Sequence, residues 1–264
     1  MRVRAIIEKE WAEAFKNRMV VFTVGLLPVL FAFLPLILIF VFQNAGPEDF
    51  RSSGPLPPGL ANNPAFQGLD ERNLMLAFLV NQFMLFYLVM PLAIPVTIAA
   101  YSVVGEKREK SLEPLLATPI TVSELLWGKS LAAAIPGIAS TWVSYTLYAL
   151  LARLLIENDR VYATIVNPMW LFALIVVAPL MSILAVNVGL IVSSRVNDPR
   201  AAEQLSMFVI LPVLALFFAQ MAGVMLVNLQ TMMGLAAVLA LVDAGLIRLG
   251  ARLFQRETIL TRWK

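Results

Sequence analysis

These 264 residues contain no cysteine and no histidine. Disulfides, thiolate nucleophiles, Cys/His zinc or haem sites and histidine-based triads are therefore excluded. Charge is scarce too: Asp, Glu, Lys and Arg make up 14% of the chain, where a soluble domain carries about 25%. Hydrophobic residues reach 60% and fall in long blocks rather than in alternation. An uncharged apolar run of about 18 residues or more reads as a spanning helix, so the solvent here is lipid. A phosphate-binding loop is missing as well. Gly128-Lys129-Ser130 mimics its end, but Ser123 stands where the motif needs its first glycine, and no strand precedes it. This chain does not bind ATP itself.

What is present is six apolar blocks, at residues 19–42, 74–104, 130–152, 169–192, 206–227 and 232–249. They predict an all-α integral membrane protein with six transmembrane helices. The first block is too long for a signal-peptide core and is expected to stay as an anchor. The second contains Pro91 and Pro95, which predict a kink. Sixteen of the 20 Lys and Arg residues fall in 1–18, the 105–129 connection, the loop after the fourth block and the C-terminal tail. Positive charge marks the cytoplasmic side, so both termini are expected there. The opposite side carries a Pro- and Gly-rich external loop over 43–73 that cannot bury a core of its own.

Two cytoplasmic pieces carry information. Residues 2–18 place Val3, Ile7, Trp11 and Phe15 at i+4 spacing, with Ile6 and Ala14 on the same side and Arg2, Glu8, Lys9, Glu13 and Lys16 opposite. This predicts an amphipathic interfacial helix, either a plain anchor in the headgroup layer or one that also touches a cytoplasmic partner. The second piece, residues 105–129, starts with a mixed charge cluster from Glu106 to Lys110. A short helix over 111–117 follows, capped by Ser111 and stopped at Thr118-Pro119, with Leu112, Leu115 and Leu116 on one face. Thr121-x-x-Glu124 then forms a capping-box pattern that opens the third span. From spacing alone, the short helix is either a docking element or a tight connector.

The run EKREKSLEPLLATPITVSELLWGK, Glu106 to Lys129, resembles the signature of ABC-2 type transporter permeases. In that family a charged E-x-x-x-G-[ST]-L-E-like element leads to L-L-x-x-P and then to Gly-Lys entering the third span. Lys110 replaces the usual glycine. The Lys9-Glu10 pair, the six spans and the ending ARLFQRETILTRWK are also similar to this family. The resemblance implies the membrane half of an ATP-driven transporter, usually an exporter. It further implies a second permease subunit, with a homodimer expected, and separate nucleotide-binding ATPase subunits that hold the ATP and Mg. Residues 2–18 become the connecting helix and the loop helix becomes the coupling helix. ATPase-docking roles pass to Glu106, Arg108, Glu109, Leu112, Glu113, Leu115, Leu116 and Pro119. No cofactor, metal or catalytic residue of its own is implied, and no nucleic-acid partner; the location implied is a prokaryotic cytoplasmic membrane. Family members often carry short re-entrant helices between the last two spans, for which residues 228–231 leave little room.

Polar residues within the blocks are the remaining candidates. Asp243 is an ionisable residue deep in the sixth block, where a carboxylate costs about 2.5–3.5 kcal/mol on insertion scales. It serves either an interhelical hydrogen bond or the passage of an ion or substrate. Gly137, Ser140, Thr141, Ser144, Tyr145 and Tyr148 form a stripe along the third span, which suits helix packing or a pathway. Asn81 and Gln82 pose the same choice in the second. The competing function is an ion-coupled secondary transporter or channel centred on Asp243. An intramembrane enzyme is disfavoured, because paired acids or a nucleophile with its base would be expected.

Overall fold

A computed structural model describes residues 2–44, 68–109, 121–222 and 227–253. The described residues are helical, without a strand, and contain six helices long and apolar enough to cross a membrane. Helix α1 (Arg2–Ala14) precedes α2 (Arg18–Asn44), the first span. The second span, Glu71–Arg108, consists of α3 (Glu71–Phe86) and α4 (Met90–Glu109). Helix α5 (Val122–Leu155) forms the third. In the fourth, Asp159–Arg195, short helices α6 (Asp159–Ala163) and α7 (Pro168–Phe172) lead through a π-helical turn (Ala173–Val177) into α8 (Ala178–Arg195). In the fifth, Pro199–Met221, α9 (Pro199–Ser206) and α10 (Leu211–Met221) flank a 3-10 turn. Helix α11 (Leu229–Leu253) contains the sixth.

The second span is the centre of the bundle. It is the most buried of the six, with the third and fourth packed along it. Small residues allow this closeness. A Cβ on Gly189 of α8 would lie 2.9 Å from Ala99, and one on Gly137 of α5 would lie 2.7 Å from the Pro95 ring. The α1 end of the bundle gathers α1, the ends of α4 and α5, and the α8–α9 turn. The opposite, far end carries the last residues of α2, the start of α3 and the α5–α6 connection.

Proline shapes the spans through the carbonyl it leaves behind, since a ring nitrogen cannot donate to residue i−4. Pro91 breaks the second span. Tyr87, Leu88 and Val89 fall back on i−3 hydrogen bonds, and a new helix starts at Met90. Pro35 leaves the Phe31 carbonyl free, and the Tyr87 hydroxyl donates to it at 2.8 Å. Pro136 likewise frees Ala132, whose carbonyl accepts the Trp11 indole N–H at 2.8 Å. In the π turn the bond runs to i−5, so Pro179 frees Leu174, and Trp142 donates there at 2.8 Å. These three carbonyls each meet an aromatic donor from a neighbouring helix, as a backbone group in lipid requires.

Candidate functional site

The site is the joint where α1 meets the ends of α4 and α5. Helix α1 buries the stripe Ile6, Glu10 and Ala14, at i+4 spacing, against α5. Ile6 and Ala14 belong to the expected apolar side, but the face is turned about them: Val3, Ile7 and Trp11 are half-buried at its edge, and Phe15 is exposed. The helix turned inward because a carboxylate has partners there. Gly128 permits the approach, since a Cβ at that position would lie 2.5 Å from Ile6 Cγ2. Trp11 fastens the helix one turn further along, in the socket that Pro136 makes.

Beneath α1 lies a buried ionic network. Glu10, Glu106 and Lys129 are 2, 3 and 4% exposed. Lys129 Nζ lies 2.8 Å from Glu10 Oε1 and 2.7 Å from Glu106 Oε2. It also donates to Ser102 Oγ at 2.9 Å, while the Ser102 hydroxyl donates to the second Glu10 oxygen. Lys9 Nζ caps Glu106 Oε1 at 2.6 Å and lies 3.3 Å from Glu13. Burial works to raise the Glu10 carboxyl. The Lys129 charge, hydrogen bonds from Lys129 and Ser102, and the Lys9 charge outweigh it and hold the group below the usual carboxylate range. Partial burial opposes the charged form of Lys9, yet the Glu106 hydrogen bond and the surrounding carboxylates raise its ammonium above the ordinary lysine value. Glu10, Glu13 and Glu106 bring one oxygen each within 4.8 Å of one another. The two ammoniums occupy the positions a metal would need, so the cluster is an ion-pair network.

Glu106 is thus turned into the protein, not toward the cytosol-facing surface expected of a docking residue. Arg108 points elsewhere: its Nη2 pairs with Asp198 at 3.0 Å and its Nε donates to the Asn197 carbonyl at 3.1 Å. Lys107 donates to the Ser194 and Val196 carbonyls, both at 3.1 Å. Together they tie the end of α4 to the α8–α9 turn. There Asp198 caps α9; its carboxyl is held low by the Ala201 backbone N–H, with the Arg108 charge assisting. The Thr121–Glu124 capping box forms at the start of α5. The expected loop helix with Leu112, Glu113, Leu115, Leu116 and Pro119 lies outside the described residues, as does the Glu109 side chain. Its two anchors do not. Glu106 and Lys129 close its base, and α1 seals the closure.

The pathway candidates do not converge on one place. Ser144 donates to the Pro28 carbonyl at 2.7 Å and Thr141 to that of Gly137, so much of the third-span stripe is packing. Ser140 is half-buried, and the buried Tyr148 hydroxyl has no partner among the described residues. Asn81 accepts the Trp170 indole N–H at 3.1 Å. Gln82 is buried, and neither of its amide atoms has a partner among the described residues. Asp243 continues the buried stripe Met232, Ala236, Leu239 on α11, but neither carboxyl oxygen has a partner among the described residues. Among the described residues no interhelical hydrogen bond to Asp243 forms. Sequence reasoning missed Glu10 and Lys129 as site residues; Glu10 lies four residues from both Ile6 and Ala14, on the buried side. It missed Glu203 too, which accepts from the buried Thr97 at 2.7 Å because the fifth span begins at Pro199 rather than at 206.

Two comparisons bear on this architecture. Over 119 residues the chain is 35% identical to the ABC transporter permease protein NatB of Bacillus subtilis (strain 168), which covers 43% of this chain. The match spans 30% of that relative's own length. A family model described as ABC-2 family transporter protein matches residues 4–243. That range holds α1, the ionic network and all six spans as far as Asp243, so the chain belongs to the ABC-2 family of transporter proteins.

Proposed function

We propose that this chain is the membrane subunit of an ATP-binding cassette exporter, paired with a second copy of itself and driven by separate ATPase subunits that bind ATP and Mg. Both termini and the 110–120 loop face the cytoplasm, in keeping with the distribution of Lys and Arg. The loop docks on the ATPase through Leu112, Glu113, Leu115, Leu116 and Pro119. One observation carries the reading: the base of this loop is closed by a buried Glu106–Lys129 pair and fastened to α1 by Glu10 and Lys9. Buried ion pairs contribute little net stability against an apolar replacement but specify one arrangement. Here the arrangement makes α1 and the ends of the second and third spans one joined piece at the base of the loop. A push on the loop then reaches the most buried span without being lost in a flexible connector, and alternating access follows from its tilt.

The test is affinity purification of the chain from its native membranes in mild detergent. A stoichiometric nucleotide-binding ATPase is expected, released by Glu113→Lys or by Leu115→Ala with Leu116→Ala while the spans stay folded. A chain that comes without an ATPase and supports ion-driven flux in liposomes would overturn the reading in favour of an Asp243-centred carrier.

A further inference from the structure

Three acids are buried among the described residues, and two of them, Glu10 and Glu106, share the Lys9 and Lys129 ammoniums. The third is Asp243. It is 4% exposed, and neither carboxyl oxygen has a partner among the described residues. Helix α11 is described from Leu229 to Leu253, about 15 Å or more of helix on either side of Asp243. It packs along the fourth span, from α7 through the π turn into α8, and touches α5 more lightly. Residues 161–194 of the fourth span and 130–152 of the third contain no Asp, Glu, Lys or Arg. The tyrosines on those stretches are engaged elsewhere. Tyr145 donates to the Ile165 carbonyl, Tyr148 lies against Tyr87 of the second span, and Tyr162 sits under Arg153. On α11 itself, Arg248 is exposed and lies about 140° round the helix axis from Asp243.

A carboxylate shut away from water without a counter-charge loses its hydration uncompensated, so the form that fits this contact is the neutral acid. A metal cation fits less well, because it needs several oxygens around it. Between Ala178 and Val192, α8 has Ser182 and Asn187 as its polar side chains, and α11 contains no proline to free a carbonyl. The sixth span is lightly buried and rests chiefly on the fourth, so little else holds it in place. We propose that the α8–α11 contact is a proton-binding site that works as a latch. Asp243 holds its proton while the sixth span lies on the fourth, and gives it to water when the two part and water reaches the carboxyl. Each parting releases one proton and each rejoining takes one up. The joined state is therefore favoured in acid and lost as the pH rises. The latch needs no ATPase and does not rest on the transporter reading.

The experiment is infrared spectroscopy of the purified full chain in phosphatidylcholine nanodiscs, with and without isotope-labelled aspartate. At neutral pH the C=O band of a protonated carboxylic acid is expected. The label should shift it, and Asp243→Asn should remove it. Spin labels on Ile175→Cys and Leu241→Cys, both exposed, then report the gap between the two spans. On the alkaline side the parted population should rise about tenfold for each pH unit, the slope for loss of one proton. With Asp243→Asn added, which cannot ionise, the gap should not respond to pH. If that variant fails to fold, the isotope shift and its disappearance at high pH still read the wild-type chain. No aspartate band at neutral pH, a band that appears only when sodium is withheld, or the same pH response with Asn in place would overturn the proposal. Failure here leaves the transporter reading intact, and failure of the purification leaves this result intact.

Discussion

Lys129 shows how one side chain can hold an arrangement without adding much to stability. Its ammonium serves two carboxylates and a hydroxyl from two other helices. Lys129→Met leaves Glu10 and Glu106 buried around no charge and should cost about 3–5 kcal/mol, read as a lowered unfolding midpoint in detergent. Adding Glu10→Gln and Glu106→Gln should recover most of that loss while weakening ATPase association, because neutral groups pack but no longer dictate register. Gly128→Ala drives a methyl into Ile6 and should cost about 1–3 kcal/mol; Ile6→Ala in the same chain should restore the midpoint. The network also sets a pH window. Glu10 titrates lower in the folded state, so its contribution is present above the ordinary carboxylate value and is lost as pH falls through its folded one. Lys9 titrates higher, so its contribution is present below the ordinary lysine value and is lost as pH rises through its folded one. A spin label on Ala5→Cys, in a chain otherwise free of cysteine, should stay immobilised between roughly pH 5 and 10 and loosen only beyond it, as pH falls through the depressed Glu10 value or rises through the raised Lys9 one. Immobilisation persisting far into acid would mean that apolar contacts alone hold α1.

Among elements, the spans were legible because lipid punishes every misplaced charge, and six long apolar blocks survive any small shift of boundary. Their internal breaks were less so. Pro91 announced a defect in the second span, but the i−3 turn over Tyr87 to Val89 depends on how neighbours satisfy the freed groups. The same applies to the carbonyls of Phe31, Ala132 and Leu174: proline positions tell which oxygen is orphaned, and only the packed bundle tells which indole or phenol takes it. Trp142→Phe should leave the Leu174 oxygen buried and unpaired at a cost of about 1–3 kcal/mol. Its measurement is the unfolding midpoint beside Trp142→Phe with Pro179→Ala, which returns the backbone donor and should recover stability. The α1 face was misread for a related reason. Amphipathic spacing assigns charge to water, and Glu10 became an inward residue because Lys129, 119 positions away, was waiting for it.

For the whole molecule, the asymmetry of sixteen basic residues against four predicts its seating. Ala5→Cys should react with a membrane-impermeant maleimide only in inside-out vesicles, and Glu157→Cys only in right-side-out ones; the reverse pattern would invert every functional assignment made for the α1 end. Family membership and span number could be read from the chain because both rest on local runs of residues. The joint could not, because it assembles residues 9–10, 102–106 and 129 from three helices into a volume no sequence window contains.

The closed base of the 110–120 loop has an evolutionary consequence. A loop whose two ends are bonded to each other is a replaceable module: the sequence of residues 109–127 can change while the Glu106–Lys129 clasp holds the ends of the spans as they are. Duplicated transporters could then trade ATPase partners by exchanging about twenty residues, keeping their membrane interior and whatever it has been selected to carry. A chimera that takes residues 109–127 from a distant family member, and keeps its own clasp, Lys107, Arg108, Gly128 and α1, is expected to fold as the parent and answer to the donor's ATPase.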